Sequence, residues 1–172
     1  MGDLILVLGG ARSGKSAFAE RLAKARGGTD VLYVATAQAL DEEMAARIAR
    51  HRQARPAGWK TAEAPLSPAD AVAHSTATVV VLDCVTLLVS NLLMAFGDPE
   101  QGKPPPDENA ANVAVMTQID AVIAAAARHR GEVIVVSNEV GLGLVPPYPL
   151  GRLYRDALGR ANCRLASAAS AV

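Results

Sequence analysis

An α/β fold, with a mostly parallel central sheet and helices on both faces, follows from three observations. Four short, continuous apolar runs read as strands buried on both sides. Each run is followed by a segment of helical character, the alternation that builds a parallel sheet. The hydrophobic share of 51% is rich in alanine and only 3% of residues are aromatic, which favours closely packed helices over a β-sandwich.

The elements follow in order. Leu4-Ile5-Leu6-Val7-Leu8 is a buried strand that ends at Gly9-Gly10. Lys15 to Arg26 is a helix stopped by Gly27-Gly28, and Val31 to Ala35 is the second strand. Asp41 to about Arg52 is a helix with Asp41, Glu42 and Glu43 at its positive end and arginines near its negative end. Arg55 to Pro68 holds three prolines and is expected to be irregular. Thr78 to Leu82 is a third strand, Val85 to Ala95 a helix, Glu108 to His129 a longer helix and Glu132 to Ser137 the fourth strand. Between the two helices, Gly97 to Asp107 carries four prolines and several charges and is expected to be an exposed, mobile loop. Gly151 to about Ala169 is the last helix, and no internal repeat is visible.

The bulk properties exclude several classes. A chain of 172 residues suits a single compact domain. Seventeen basic residues balance seventeen acidic ones, so no overall field would draw in nucleic acid or a membrane surface. Any anion site must then come from local clustering. Leu4 to Leu8 is too short for a signal peptide's apolar region or a bilayer span, and Cys84 and Cys163 form no Cys-x-x-Cys pair. A soluble cytoplasmic protein with reduced thiols is expected.

In open parallel sheets, ligands sit beyond the carboxyl ends of the strands. That rule selects Gly9 to Ser16, Thr36 to Gln38, Asp83, and Ser137 to Glu139. The first of these, Gly9-Gly10-Ala11-Arg12-Ser13-Gly14-Lys15-Ser16, fits the phosphate-loop pattern G-x-x-x-x-G-K-[ST] at every required position. Its glycines let backbone N–H groups curl around phosphate oxygens, Lys15 can reach the β and γ phosphates, and Ser16 can hold Mg2+. The helix that opens there adds its positive end. Asp83 ends an apolar strand, where its carboxylate can face that magnesium or simply cap the next helix.

A second feature is the helix around His51. Leu40, Met44 and Ile48 define a stripe that should face the protein body, and His51 and Arg55 continue it. Polar groups where burial is expected suggest a cleft. Arg47, Arg50, Arg52 and Arg55 would form a local anion site and favour the neutral imidazole. A neutral ring could attack an α-phosphorus while arginines stabilise departing pyrophosphate. On composition alone, a lone histidine in a basic helix is more often solvated or structural. His74 and His129 attract no functional reading.

Together these segments resemble the bifunctional adenosylcobinamide kinase / adenosylcobinamide-phosphate guanylyltransferase family of cobalamin biosynthesis. The resemblance rests on the phosphate loop, Leu32-Tyr33-Val34-Ala35-Thr36-Ala37, and Asp41 to Ile48 with His51. It continues through Arg55-Pro56, Trp59 to Glu63, Asn91-Leu92-Leu93 and Ser137 to Pro146, in order over nearly the whole chain. It implies a RecA-like P-loop domain that phosphorylates adenosylcobinamide with ATP or GTP and then transfers GMP from GTP to adenosylcobinamide phosphate. It also implies a guanylylated histidine at His51, with Lys15 acting on the phosphates. Nucleotide contacts are carried over onto Gly9, Gly10, Ala11, Arg12, Ser13, Gly14, Lys15, Ser16, Ala35, Thr36, Ala37, Arg52, Gln53, Ala54, Arg55, Glu63 and Asp83, with Ser16 and Asp83 at the metal. Asp83 is one methylene shorter than the glutamate a member can carry there.

The resemblance further implies a homotrimer and a final apolar strand, which this chain, ending at Ala171-Val172, is expected to lack. Two other readings stay open: a P-loop small-molecule or nucleoside kinase with a structural His51, and a regulatory nucleotide-binding module. Asn138 and Glu139 are candidates either for substrate contact or metal-shell support, or for the turn that precedes Gly141.

Overall fold

The structure, a computed structural model, describes residues 2–97 and 107–172. In chain order the elements are β1 (Asp3–Gly9), α1 (Lys15–Gly27), β2 (Val31–Ala35), α2 (Glu42–Ala54), β3 (Lys60–Glu63), α3 (Pro68–Ala73), β4 (Val79–Asp83), α4 (Val85–Phe96), α5 (Glu108–Arg128), β5 (Glu132–Asn138) and α6 (Pro149–Ala168). The four predicted strands and five predicted helices are all present, with ends displaced by no more than a residue or two. Most of the proline-rich loop expected at Gly97 to Asp107 lies outside the described residues.

The segment from Arg55 to Pro68 departs from expectation. It is not irregular throughout: Lys60-Thr61-Ala62-Glu63 forms β3 against β2, and Pro68 opens the short α3 with proline in its first turn. Backbone pairing to a neighbour already in place overrides the weak strand character of an edge segment.

Among the described residues, five strands form one sheet in the order β1-β5-β4-β2-β3, and every neighbouring pair is parallel. This is the α/β arrangement the sequence predicts. Register fixes what meets at the carboxyl edge. Gly9 stands beside Asn138, and Ala35 stands between Asp83 and Glu63. The last residues take up a position beside β1, where Ser170 donates to Leu4 O at 2.8 Å and Leu6 donates to Ala171 O at 2.9 Å. Ile5 and Ala171 form a parallel bridge, so the site of the strand expected to be missing is entered by Ser170 and Ala171.

The two faces of the sheet are covered unequally. On one, α1 packs through Ala19 and Ala23 against Ile5, Val7, Val79, Val81, Ile134 and Val136. Small residues at a spacing of four let the helix approach closely, and a Cβ added at Gly27, one turn further on, would lie 2.9 Å from Val79 Cγ2. On the other face α3, α4, α5 and α6 enclose the larger core. α5 is long and apolar enough to cross a membrane by composition, but Ala111, Val115, Ile119, Val122 and Ala126 form a buried stripe packed into that core. It is a core helix.

The β2 and β4 ends are tied together at Thr36, which is fully buried. Its Oγ1 donates to Cys84 O at 2.7 Å and accepts from Cys84 N at 2.8 Å. Asn91, on α4, donates from Nδ2 to Thr36 O at 2.8 Å and to Pro65 O at 3.0 Å. Asn91 thus holds the turn after β2 and the segment after β3 in place. Substituting Asn91→Ala strands both carbonyls and should destabilise the fold by about 2 kcal/mol, measured as a lower urea midpoint.

Candidate active site

The phosphate loop takes the shape its glycines permit. Gly14 has φ 87° and Arg12 φ 56°, both left-handed, and a Cβ at Gly9 would stand 3.0 Å from Ser13 Oγ. Gly14 O accepts from Phe18 N at 2.9 Å, which starts α1 directly from the loop. Ala11, Arg12, Ser13 and Gly14 are exposed, so the loop backbone is open to a ligand. Lys15 Nζ donates to Gly10 O at 2.6 Å and lies 3.4 Å from Ser13 Oγ, folded over the loop that phosphate would fill.

α2 stands across from this loop. Asp41 caps it, accepting from Met44 N at 2.7 Å, and Glu42 and Glu43 occupy its first turn. Met44, Ile48, His51 and Arg55 are half-buried while the other described side chains of the helix are exposed. The predicted stripe is therefore real from Met44 onward. Leu40 does not belong to it. It is 81% exposed, because the helix begins at Glu42 and Leu40 precedes its wheel.

Between the loop and α2 lies a cleft of about 560 Å³. Its walls include Ala11, Arg12, Ser13, Gly14, Lys15, Ser16, Ala35, Ala37, His51, Arg52, Arg55, Glu63 and Asp83. Most residues singled out from the sequence thus meet in one place. Gly9 and Gly10 form the root of the loop outside the wall, Gln53 is exposed on the outer side of α2, and Ala54 closes that helix. Thr36 is buried behind the wall, its hydroxyl paired with the Cys84 backbone.

Among the described side chains, Arg50, Arg52 and Arg55 do not converge on one anion site, and the side chain of Arg47 lies outside those described. Arg52 pairs with Glu63 at the mouth, and both side chains are more than half exposed. Arg55 turns under the cleft instead, its guanidinium carbon 3.4 Å from the centroid of the Tyr33 ring and its Nε 3.9 Å from Glu20 Oε1. Arg50 is exposed. Nearby carboxylates claim Arg52 and Arg55 individually, a competition that spacing along one helix cannot display.

Tyr33, which the sequence offers only within the Leu32 to Ala37 segment, and Glu20 carry no site role in the sequence reading. Tyr33 Oη donates to Asp83 Oδ2 at 2.5 Å. Asp83 pairs by register with Ala35, so Tyr33 lies diagonally across on the same face. Glu20 lies one helical turn beyond Ser16. Burial raises the Glu20 carboxyl above its ordinary range, Arg55 and His51 oppose that rise, and Asp83 adds to it. Burial, the Asp83 charge and the hydrogen bond to Asp83 likewise raise the Tyr33 phenol, which stays a donor. The Cys84 thiol in the cleft wall is pushed up to about 11, chiefly by burial, so it is no nucleophile near neutral pH.

Among the described residues, no three histidine, cysteine or acidic side chains gather as a metal site. Ser16 and Asp83 nevertheless offer two hard oxygen donors beside the phosphate loop, which fits Mg2+ held mainly by substrate phosphates and water. At the strand end, Asn138 lines the cleft, while Glu139 forms the turn, accepting from Gly141 N at 2.5 Å. A wider groove of about 750 Å³ runs along α6 near Cys163, but Arg160 and Arg164 there are engaged by Asn112 and Asp120.

A parallel sheet, a glycine-rich loop opening α1, and a lysine and serine at its end define a P-loop nucleotide-binding protein. The family model for cobinamide kinase / cobinamide phosphate guanyltransferase matches residues 5–172. The bifunctional adenosylcobalamin biosynthesis protein CobU of Salmonella typhimurium is 46% identical over 182 residues, covering 98% of this chain and 93% of that protein. CobU of Escherichia coli is 46% identical at the same coverage, and CobP of Pseudomonas aeruginosa is 45% identical over 90% of this chain and 82% of that protein. The chain belongs to the cobinamide kinase / cobinamide phosphate guanyltransferase family and is a bifunctional enzyme of cobalamin biosynthesis.

Proposed function

We propose that the chain phosphorylates the aminopropanol hydroxyl of adenosylcobinamide and then guanylylates the product through a covalent bond between His51 and GMP. The observation that supports this most is the presence of His51 and the phosphate loop in one cleft. In the first reaction the substrate hydroxyl oxygen attacks the γ-phosphorus of ATP or GTP, the bond from that phosphorus to the β,γ-bridging oxygen breaks, the hydroxyl proton leaves to water, and the nucleoside diphosphate departs. In the second, an imidazole nitrogen of His51 attacks the α-phosphorus of GTP. The bond from that phosphorus to its bridging oxygen breaks, and pyrophosphate leaves. An oxygen of adenosylcobinamide phosphate then attacks the same phosphorus, giving adenosylcobinamide-GDP and free His51.

Lys15, Arg12 and the loop N–H groups hold the departing phosphates, since Arg52 and Arg55 are already engaged. Ser16 and Asp83 would hold Mg2+, which when bound offsets charge on the phosphate oxygens. Ala35, Ala37 and Glu63 flank the remaining nucleotide from the β2 and β3 ends. The resemblance noted above supports a cytoplasmic homotrimer whose chains each carry one nucleotide-binding domain, which light scattering tests for the assembly.

The deciding experiment is incubation with α-labelled GTP and Mg2+ followed by denaturing electrophoresis. Label should stay with the protein, resist base and be lost in acid, as a phosphoramidate requires. Absence of label with nucleotide binding intact would favour a P-loop kinase with a structural His51.

A further inference from the structure

α2 carries the histidine but places none of its described side chains fully in the core. Two attachments hold its end. Arg52–Glu63 lies in solvent, with the side chains 51% and 62% exposed, where an ion pair contributes little. The side chain of Arg55, the C-cap of the helix and one turn beyond His51, is only 8% exposed. Its guanidinium lies 3.4 Å above the Tyr33 ring centroid, and its Nε and Nη1 are buried without hydrogen-bond partners. The ring thus lies in direct contact with a desolvated cation whose Nε also stands 3.9 Å from Glu20 Oε1, a setting that strengthens cation–π attraction. The same Tyr33 is 2% exposed and gives its hydroxyl to Asp83.

We propose that Tyr33 is a positioning residue for guanylyl transfer, registering the His51 helix against the Asp83 carboxylate through its two ends. The ring face holds Arg55, and with it the last turn of α2. The hydroxyl holds one oxygen of Asp83. Nucleophile and metal-side carboxylate then share one rigid support on β2, at the ligand edge of the sheet. The inference rests on the His51 and Asp83 roles proposed above.

Two substitutions separate the two ends. Tyr33→Phe keeps the ring and removes the donor, while Tyr33→Leu removes both. Trypsin cleavage after Arg50 and Arg52, followed by mass spectrometry without nucleotide, reports the docking of α2. The rate of labelling from α-labelled GTP across a Mg2+ titration reports the chemistry. Tyr33→Leu should speed cleavage about tenfold and slow labelling by a similar factor at saturating Mg2+. Tyr33→Phe should leave cleavage within about twofold of the parent but raise the half-saturating Mg2+ about tenfold, as loss of a metal ligand's hydrogen-bond partner does. Equal effects of the two variants on both readouts would reduce Tyr33 to a core residue and overturn the proposal.

Tyr33 is central to its core cluster, so Arg55→Met supplies the same test from the other partner without touching the strand. It should reproduce the faster cleavage of α2, and protection equal to the parent would overturn the proposal even if Tyr33→Leu fails to fold. A parent that takes up no label would sink the His51 reading, while the cleavage contrast would still decide whether Tyr33 docks the helix.

Discussion

Replacing His51 with alanine should abolish retention of GMP from α-labelled GTP and slow transfer to adenosylcobinamide phosphate by about a thousandfold or more, the scale of loss when a covalent nucleophile is removed. Phosphorylation of adenosylcobinamide should persist at a measurable rate, because in-line transfer of a γ-phosphoryl group needs the loop and the metal but no protein nucleophile. The fold should be unaffected, since His51 is half-buried on a helix whose exposed neighbours make few demands on it. Measuring both products by chromatography, with circular dichroism as a control, separates the cases. If both activities fell together, His51 would be organising the cleft rather than forming a bond. If transfer survived, the intermediate would lie elsewhere, and Cys84 would not supply it because burial keeps its thiol protonated.

The site was legible where one residue suffices to state a chemistry. The phosphate loop declares itself in eight consecutive residues, and its place after a buried strand and before a helix is what the structure shows. The place of Asp83 in the cleft wall is legible because an acid at the end of an apolar run is conspicuous. β3 was not, because Lys60-Thr61-Ala62-Glu63 is short, polar and flanked by prolines, and its strand form comes from pairing with β2. α3, six residues long, gives too few turns for a period to register.

The arginines show a different limit. Four cations on one stretch of helix look convergent in sequence, yet the destinations of Arg52 and Arg55 depend on Glu63 in β3 and on Glu20 and Tyr33 from two other elements. Tyr33 was invisible for the opposite reason. Within Leu32-Tyr33-Val34 it reads as core, and only the parallel register of β2 with β4 reveals that its hydroxyl faces Asp83.

Substituting Lys15→Ala should lower both activities, each by about a hundred- to a thousandfold in kcat/KM, the cost of removing a fixed positive group from a developing phosphate charge. The expectation differs from that for His51 because both reactions expel a phosphate group, and the cleft that holds His51 is the one that holds Lys15. Lys15 is not needed for folding. Among the described residues its ammonium meets only Gly10 O and Ser13 Oγ, both within its own loop, so stability from the urea midpoint should shift by less than about 1 kcal/mol. Parallel assays of phosphorylation and guanylyl transfer, with calorimetry for GTP binding, would decide the point. Loss of both supports one phosphate loop serving both steps in turn. Loss of phosphorylation alone would require a second place to bind the triphosphate of GTP, and His51 would then have to reach it from the exposed side of α2, where the described side chains face solvent.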